Sequence, residues 1–528
     1  MVSGLNQQKQ LYVSPISYNN KRVISFCGDN FSTLNKDSFQ LLNNSKQEFS
    51  IAAMAPLQIN NDVEMAKFVK DIQAAKANGV GSISVDVWWG LAEKSGEGKF
   101  DWNYYEKVFK TIKENGLKIT PILSMHKCGG NIGDTVNIPL PDWSWDYLSE
   151  KLGINSTAKD SALAKSIKQK MKTELQYKNE HGDYVSDAIP IWYDEVMMPK
   201  YRQFIDGFKE HFISNPDSNV NIKDCIQEIN VSCGPAGELR YPTYGSMKGG
   251  EFPNRGALVG YDMGGKASFK NYMANKYGNN IARLNYEWGT KLKSFNQILP
   301  PHNNTQGKGR ATGFIEAKNY VNTQYGKDYT EWYHNTLLKH GENLLINAHE
   351  SFKDTDIPIG FKFPGVHWQM ANENTPRIAE ITTGIIDTNI TKENDYGYKS
   401  LFDMIKSVKD KYKNSDTITH FTCLELDNDL GGVYNGRKNN SCAKNLVEWI
   451  VDVAKSRGLT IKGENADAGH LLNENRWNTL KNNIWRGFDG ITFLRVGNLN
   501  NNENFKNFMN WIKGDLVKKG EKVLMKVA

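Results

Sequence analysis

A glycine-framed loop that carries one carboxylate is the strongest chemical signal in the sequence. The stretch from Gly234 to Pro242 reads Gly-Pro-Ala-Gly-Glu-Leu-Arg-Tyr-Pro, and it places Glu238 soon after a strand-like run, Ile226 to Val231. Proteins built on parallel strands bind their ligands at the carboxyl ends of those strands. The spacing therefore predicts that Glu238 is an acidic group at a strand end.

A second carboxylate occupies the same kind of position. The strand-like run Leu459 to Lys462 leads into Gly463-Glu464-Asn465-Ala466, so Glu464 also stands at a strand end. Two such groups suit the hydrolysis of a glycosidic bond, in which one carboxyl protonates the leaving oxygen and the other assists attack. A glutamate taken alone is usually a solvated loop residue. The matching context of the two favours the catalytic interpretation.

Further polar side chains stand at the ends of other strand-like runs. They are Asp86, His126, Lys362, His367 and Arg495. Asp86 suits the binding of sugar hydroxyls, and Lys362 and His367 are able to donate hydrogen bonds to them. Arg495 suits the orientation of a carboxylate or of a pair of hydroxyls. The alternatives are a structural ion pair for Asp86 and an ordinary buried histidine for His126.

Strand-like runs alternate with helical patterns or long polar loops along the chain. There are eight of them: Ser50 to Leu57, Gly81 to Trp88, Lys118 to Met125, Ile226 to Val231, Ile357 to Phe363, Thr417 to Thr422, Leu459 to Lys462 and Gly490 to Leu494. This alternation predicts an α/β fold, a (β/α)₈ barrel of the TIM type. The connections 126–224 and 234–356 are unusually long, and we expect them to form a pocket at the C-terminal rim.

One catalytic domain is expected to account for most of the chain. We assign it residues 50–515, because no internal repeat and no Pro/Ser-rich linker divides the sequence. Residues 1–49 are expected to be an amino-terminal extension that is poorly ordered or loosely packed. Residues 516–528 are expected to be a short C-terminal tail.

Composition excludes several classes of partner. The chain has 528 residues and a formal net charge of +6, without a dense Lys/Arg block, so nucleic acid is not an expected partner. No apolar run reaches the length of a membrane span. The first 50 residues lack the apolar core of a secretory signal, which favours a cytoplasmic location. Residues 1–28 contain no Asp or Glu, so organelle targeting stays open.

The six cysteines form no CxxC pair and are too sparse for a disulfide-stapled scaffold. We therefore expect reduced thiols and no zinc site. Neither a cofactor nor a metal ion is expected from the motifs.

The motifs, taken in order, resemble those of the β-amylase family. The matching segments are Val85–Gly90, His126–Asp134, Gly234–Tyr244, Phe421–Glu425, Gly463–Ala466 and Leu494–Arg495. They occur in the order found in the family, and the resemblance covers roughly residues 51–515. The resemblance implies an enzyme that hydrolyses α-1,4-glucosidic bonds in starch-like glucans and releases maltose from non-reducing ends with inversion. Its partners would be the glucan and maltose, and the oligomeric state stays open.

The resemblance also implies residue roles. Glu238 would be the general acid and Glu464 the general base. Asp134 would lie on a lid loop, Gly129–Asp134, and Thr422 on an inner loop that shifts with substrate. Contacts to glucose units would come from Asp86, His126, Lys362, His367, Asn465, Ala466 and Arg495.

Some positions depart from the family pattern. Lys127 and Thr243 stand where Gln and Ser are common, and Asp467 stands where a leucine often packs against the bound sugar. Some bacterial members bind a structural calcium, and Glu93 and Glu97 match part of that site. The segment 198–203 is not acidic, and calcium needs six to eight oxygens, so no calcium is expected.

The charge near the acid leads to one orientational prediction. Arg240 lies two residues after Glu238 and would oppose its protonation, so we expect Arg240 to point away. Two other functions stay open: a catalytically silent glucan sensor on the same barrel, and an unrelated retaining glycosidase.

Overall fold

The computed structural model of the protein describes residues 49–130, 133–154, 162–244, 256–301, 313–316, 318–368, 377–434 and 437–516. The predicted amino-terminal extension and C-terminal tail lie almost wholly outside these residues. Within the described ranges, no helix combines the length and the apolar character that a membrane crossing requires.

Eight parallel strands close into a barrel. They are β1 (Ser50–Met54), β2 (Ser82–Trp88), β3 (Lys118–Ser124), β4 (Ile229–Val231), β5 (Ile359–Phe363), β6 (Thr417–Phe421), β7 (Thr460–Glu464) and β8 (Gly490–Phe493). Each strand pairs with the next along the chain, and β1 closes on β8 with Ser50 opposite Gly490. The predicted TIM-type barrel is confirmed. Strand β7 extends two residues beyond the predicted run, so Glu464 is its last residue.

Helices lie in every connection between the strands. They are α1 (Asp62–Ala77), α2 (Trp89–Ala92), α3 (Asn103–Glu114), α4 (Asp142–Lys151), α5 (Ala162–Glu174), α6 (Asp194–Phe212), α7 (Met263–Lys276), α8 (Ile281–Trp288), α9 (Gly313–Glu316), α10 (Asn319–Asn322), α11 (Gln324–Ser351), α12 (Ile378–Thr383), α13 (Lys399–Lys411), α14 (Ala443–Ser456), α15 (Glu474–Gly487) and α16 (Glu503–Trp511). The two long connections predicted from the sequence hold α4 to α6 and α7 to α11. Two short hairpins also lie in the connections. Tyr177–Lys178 pairs with Tyr184–Val185 between β3 and β4, and Asn428–Tyr434 pairs with Arg437–Cys442 between β6 and β7.

Helix α3 illustrates how the outer layer packs on the barrel. Its buried residues are Tyr105, Val108, Phe109 and Ile112, a spacing that places them on one face of the helix. The ring of Phe109 packs edge to face on Phe212 of α6, with ring centroids 5.0 Å apart. Apolar faces of this kind join the helices and the strands into one large core.

Three basic side chains lie level with one another on neighbouring strands. Lys362 of β5 is in register with His420 of β6, and His420 is in register with Lys462 of β7. Alternate residues of a strand point to the same face, so Lys462 and Glu464 share a face of β7. The register therefore brings cations close to the end of β7.

Glu228, buried just before β4, compensates part of this positive charge. Its carboxylate contacts His420 Nε2 at 2.6 Å and also accepts a hydrogen bond from Lys462 Nζ. Burial alone would raise the pKa of Glu228, but Lys462 and His420 outweigh burial and hold that pKa below its usual range. A buried charge needs such partners to offset its lost hydration. Glu228, His420 and Lys462 are hereafter called the interior triad.

Gly463, between Lys462 and Glu464, packs directly against a buried leucine. A Cβ atom at Gly463 would lie 1.8 Å from Leu424 Cδ2, and Leu424 is fully buried. We therefore expect Gly463→Ala to lower the free energy of unfolding, measured by urea denaturation, by about 1–3 kcal/mol through overpacking. Gly81→Ala is the control, because its Cβ would meet Ile51 O at 3.8 Å. Equal stability of the two variants would contradict this account.

Candidate active site

One cavity of about 1000 Å³ collects the polar side chains that stand at the strand ends. Its lining includes every site residue predicted from the sequence: Asp86, His126, Asp134, Glu238, Lys362, His367, Thr422, Glu464, Asn465, Ala466 and Arg495. Glu238 follows β4, and Glu464 ends β7, three strands further round the barrel. The closed barrel thus brings together residues that are far apart along the chain.

Glu238 leaves a tight turn that begins directly after β4. Gly234 opens the turn, and a Cβ there would lie 2.7 Å from the carbonyl oxygen of Glu238. The carboxylate then accepts two hydrogen bonds on Oε2, from Arg240 Nε at 2.7 Å and from Tyr244 OH at 3.0 Å. Because both donors bind Oε2, Oε1 has no hydrogen-bond partner among the described residues. Glu238 lines the cavity.

The prediction that Arg240 points away from Glu238 is wrong. The Arg240 side chain is almost fully buried, and its guanidinium lies 3.9 Å from the centre of the Tyr244 ring. A second hydrogen bond runs from Arg240 Nη1 to the carbonyl oxygen of Tyr241. A buried guanidinium needs a carboxylate and oriented acceptors to offset its lost hydration. Glu238 supplies the carboxylate, which explains why the Arg240 side chain points toward Glu238.

Glu464 is held by a cation of its own. Lys362 Nζ, from β5, donates to both carboxylate oxygens of Glu464, at 2.7 and 2.8 Å. Burial alone would lower the pKa of Lys362, but the charge of Glu464 more than offsets burial and raises it. Lys362, which the sequence analysis assigned to sugar contacts, thus also forms an ion pair with Glu464.

Asp86 and Arg495 face each other across the cavity lining. Arg495 Nη1 lies 3.8 Å from Asp86 Oδ2 and donates to the carbonyl oxygen of Ala55 at 3.0 Å. Ser124 Oγ donates to Asp86 Oδ1 at 3.2 Å. Burial raises the pKa of Asp86, with Arg495 and Lys362 acting against it. The structural ion pair that the sequence left open as an alternative is present, in a position where both members also line the cavity.

Both predicted histidines are fixed through Nδ1. His126 Nδ1 lies 2.6 Å from Ser232 Oγ, and His367 Nδ1 lies 2.7 Å from Ser441 Oγ. Burial, helped by Lys362 and Arg240, lowers the pKa of His126 to about 3. His126 is therefore neutral near pH 7 and suits a hydrogen bond to a neutral hydroxyl.

The two loop residues implied by the resemblance have backbone partners. Thr422 Oγ1 accepts a hydrogen bond from Gly365 N at 2.8 Å, and Asp134 Oδ2 accepts one from Gly129 N at 2.8 Å. Gly129, Gly130 and Gly133 all have positive φ, between 88° and 116°. Glycine adopts such values without the steric cost that other residues meet. Residues 131 and 132 of the predicted lid lie outside the described residues.

Glu425 is a functional-site residue whose position the sequence analysis did not use. Its fully buried carboxylate accepts hydrogen bonds from Ala466 N at 2.9 Å and from Asp467 N at 3.2 Å, and it contacts His470 Nδ1 at 2.8 Å. It thereby holds the segment after Glu464 in place. The signal was visible, since Glu425 closes the Phe421–Glu425 motif. Glu425 lies behind the cavity wall, whereas the cavity-lining residues missed from the sequence include Asp427, Asp429, His470 and Arg476.

The side chains of Asn465 and Asp467 both accept hydrogen bonds from backbone N–H groups. Asn465 Oδ1 accepts from Leu494 N at 2.9 Å, which ties the end of β7 to the end of β8. Asp467 Oδ1 accepts from Gly469 N at 2.6 Å and caps the short helical turn Ala468–Leu472. The capping bond explains how an aspartate is accommodated at this position.

The cysteine prediction is wrong at one position. Cys442, at the end of the second hairpin, is disulfide-bonded. Cys128, Cys225, Cys233 and Cys423 are free thiols, and all of these except Cys225 are buried. Burial raises the pKa of Cys128 to about 12. Sequence spacing does not reveal a disulfide whose partners meet only in the folded chain.

The two glutamates considered for a calcium site have other partners. Glu93 is buried and accepts hydrogen bonds from Trp89 Nε1 at 2.6 Å and from Gly98 N at 2.5 Å. Glu97 forms an ion pair with Lys200. Among the described residues, no cluster of His, Cys, Asp and Glu has a geometry that suits a metal ion.

Comparisons of the sequence and the structure with known proteins found similar enzymes. The thermophilic β-amylase of Thermoanaerobacterium thermosulfurigenes is 35% identical, over 86% of this chain and 72% of the relative. The β-amylase of Cytobacillus firmus is also 35% identical, over 86% of this chain and 84% of the relative. The crystal structure of the β-amylase catalytic domain from Paenibacillus polymyxa superposes with a TM-score of 0.70 at 34% identity, covering 88% of this chain and 98% of that one. The model for glycosyl hydrolase family 14 matches residues 52–522. The chain therefore belongs to glycosyl hydrolase family 14, the family of the β-amylases, and is a glycoside hydrolase.

Proposed function

We propose that the enzyme hydrolyses α-1,4-glucosidic bonds in starch-like glucans and releases maltose from non-reducing ends with inversion of the anomeric configuration. The observation that carries the proposal is the placement of Glu238 and Glu464 in one cavity, each held by a different cation. Membership of family 14 and the β-amylase relatives support the choice of glucan and product.

Glu238 acts as the general acid in this proposal. Both hydrogen bonds from Arg240 and Tyr244 go to Oε2, so Oε1 is the oxygen that delivers a proton to the leaving glucosyl oxygen. Glucan binding excludes water from the cavity and brings the leaving oxygen within hydrogen-bond distance of Oε1, which is the geometry that proton transfer requires.

Glu464 acts as the general base. An inverting enzyme needs an ionised carboxylate that activates a water on the opposite face of the sugar, at a carboxyl separation of about 6.5–9.5 Å. Lys362 bridges both oxygens of Glu464 and stabilises that ionised state. Each carboxylate therefore has its own cation: Glu238, the proposed acid, is paired with Arg240, and Glu464, the proposed base, is paired with Lys362.

The remaining cavity residues bind the sugar units. Asp86 accepts from glucose hydroxyls, and Arg495 beside it donates to them. His126 presents Nε2, since its Nδ1 contacts Ser232, and His367 also lines the cavity. Asp134 on the predicted lid closes over the glucan, and Thr422 moves with the inner loop. Asn465 and Ala466 contribute from the segment that follows Glu464.

Product analysis tests the activity. We expect incubation with amylose to give maltose as the dominant early product, initially in the β-anomeric form that inversion of an α-linkage produces. Chromatography gives the product size, and proton NMR in the first minutes gives the anomer. Initial release of α-maltose would indicate a retaining glycosidase, and the absence of any hydrolysis would indicate a glucan-binding protein.

Glu238→Gln tests the acid. The amide keeps the shape of the side chain but delivers no proton, so kcat on maltopentaose should fall by at least about 100-fold. Glu97→Gln, on the surface, is the control and should keep wild-type turnover. Circular dichroism checks that the fold of both variants is intact. A Glu238→Gln enzyme that retains more than a third of its turnover would remove Glu238 from the mechanism.

Lys362→Met tests the charge beside Glu464. Without the ammonium, the buried Glu464 carboxylate loses the cation that offsets its lost hydration, so kcat on maltopentaose at pH 7 should fall by at least about 10-fold. Lys107→Met removes a lysine from an exposed ion pair with Asp62; it is the matched control and should keep wild-type turnover. Wild-type turnover in Lys362→Met would show that Glu464 does not depend on this cation.

A further inference from the structure

The long helix α11 supports the segment that carries Glu238. A Cβ at Gly341 of α11 would lie 2.7 Å from Leu239 Cδ2, so this glycine allows the residue after Glu238 to approach the helix closely. Tyr241 OH donates to the carbonyl oxygen of Tyr333, also on α11, at 2.9 Å. The start of the turn reaches the same helix through His340. Residues 233–241 are hereafter called the acid segment.

His340 joins the acid segment to the first turn of α6. Its Nδ1 lies 2.9 Å from both carboxylate oxygens of Asp194, and its Nε2 lies 3.1 Å from the carbonyl oxygen of Cys233. A carbonyl oxygen only accepts hydrogen bonds, so Nε2 must carry a proton. Neutral imidazole has one N–H, and an ionised Asp194 requires the other. Both contacts are therefore satisfied when Asp194 and His340 hold one proton in addition to the proton on Nε2.

The groups around this pair stay neutral through the alkaline range. Tyr177, Tyr201, Tyr241 and Cys233 all feel the charge of Asp194, and burial raises the pKa of each of them above its usual value. His340 itself is buried. The two hydrogen bonds of His340 therefore lie among buried, uncharged side chains.

We propose that His340, oriented by Asp194, is a positioning residue that holds the acid segment through its hydrogen bond to the Cys233 carbonyl. The proposal rests on the assignment of Glu238 as general acid. It adds a group that touches neither substrate nor the reacting atoms.

The path from His340 to Glu238 is short. Cys233 precedes Gly234, and Cys233 N pairs with the carbonyl oxygen of Gly237 across the turn that ends in Glu238. Fixing the Cys233 carbonyl therefore fixes one end of that turn. Without a donor at the position of Nε2, the Cys233 carbonyl loses this buried hydrogen bond and the turn loses an anchor. A displacement of about 1 Å at a catalytic group is enough to reduce turnover by about 100-fold.

Two variants separate the two ring nitrogens. In His340→Gln the side-chain amide reaches the position of Nε2 and donates to Cys233 O without titrating, whereas in His340→Asn the shorter amide reaches only the position of Nδ1, next to Asp194. We expect kcat on maltopentaose at pH 7 to fall by about 10-fold or more in His340→Asn and to stay within about 3-fold of wild type in His340→Gln.

A second substrate distinguishes positioning of the acid from general damage. α-Maltosyl fluoride has a leaving group that needs little protonation, so its hydrolysis depends less on the acid. The deficit of His340→Asn should be at least about 5-fold smaller on the fluoride than on maltopentaose, as for Glu238→Gln. Equal turnover of the two His340 variants on maltopentaose, or an equal loss on both substrates in His340→Asn, would overturn the proposal. If Glu238→Gln is itself active on maltopentaose, the proposed function fails instead.

A measurement on the wild-type enzyme keeps the proposal testable if His340→Asn does not fold. Nitrogen-15 NMR of protein labelled at the histidine rings reports the proton on each nitrogen, and His340→Gln assigns the signal by its loss. We expect Nε2 of His340 to carry a proton at pH 7, because its contact with the Cys233 carbonyl oxygen requires a donor. A bare Nε2 at pH 7 would overturn the proposal.

Discussion

Charge compensation inside a closed barrel is the constraint on which the rest of the site depends. Two carboxylates line one cavity, and each is paired with a cation: Glu238 with the buried Arg240 and Glu464 with the partly buried Lys362. Ionised groups removed from water are stable only with such partners. The pairing also keeps the two carboxylates chemically distinct, because each responds to its own neighbours. The interior triad repeats the principle one level further into the barrel, where Glu228 is enclosed by a lysine and a histidine.

Positioning of these charges is distributed over the long connections as well as the strands. Glu425 accepts hydrogen bonds from the backbone that follows Glu464, and α11 supports the backbone around Glu238. Neither support is itself a member of a barrel strand. The insertions after β3 and β4 therefore do more than enlarge the cavity walls, since α6 and α11 meet where Asp194 contacts His340.

Much of this arrangement could be predicted from the sequence. All eight strands were visible as apolar runs, and both glutamates were visible from the glycines around them, because local sequence dictates strands and turns. The predicted orientation of the Arg240 side chain was wrong, because that orientation depends on the burial of the guanidinium, which the sequence does not reveal. Cys442 was assigned as a free thiol for a related reason: disulfide pairing is a property of three-dimensional proximity. The residues brought in by the hairpin after β6, such as Asp429, gave no local signal of their own.

The register that aligns Lys362, His420 and Lys462 also limits how such a chain can change in length. A strand presents alternate residues to opposite faces, so inserting or deleting one residue within β5, β6 or β7 would turn the cations toward the helices and apolar residues toward the cavity. Insertions of many residues between strands leave this alternation intact. Length variation is therefore tolerated in the connections, where this chain already places helices α4 to α11, and excluded from the short segments that set the charge pattern.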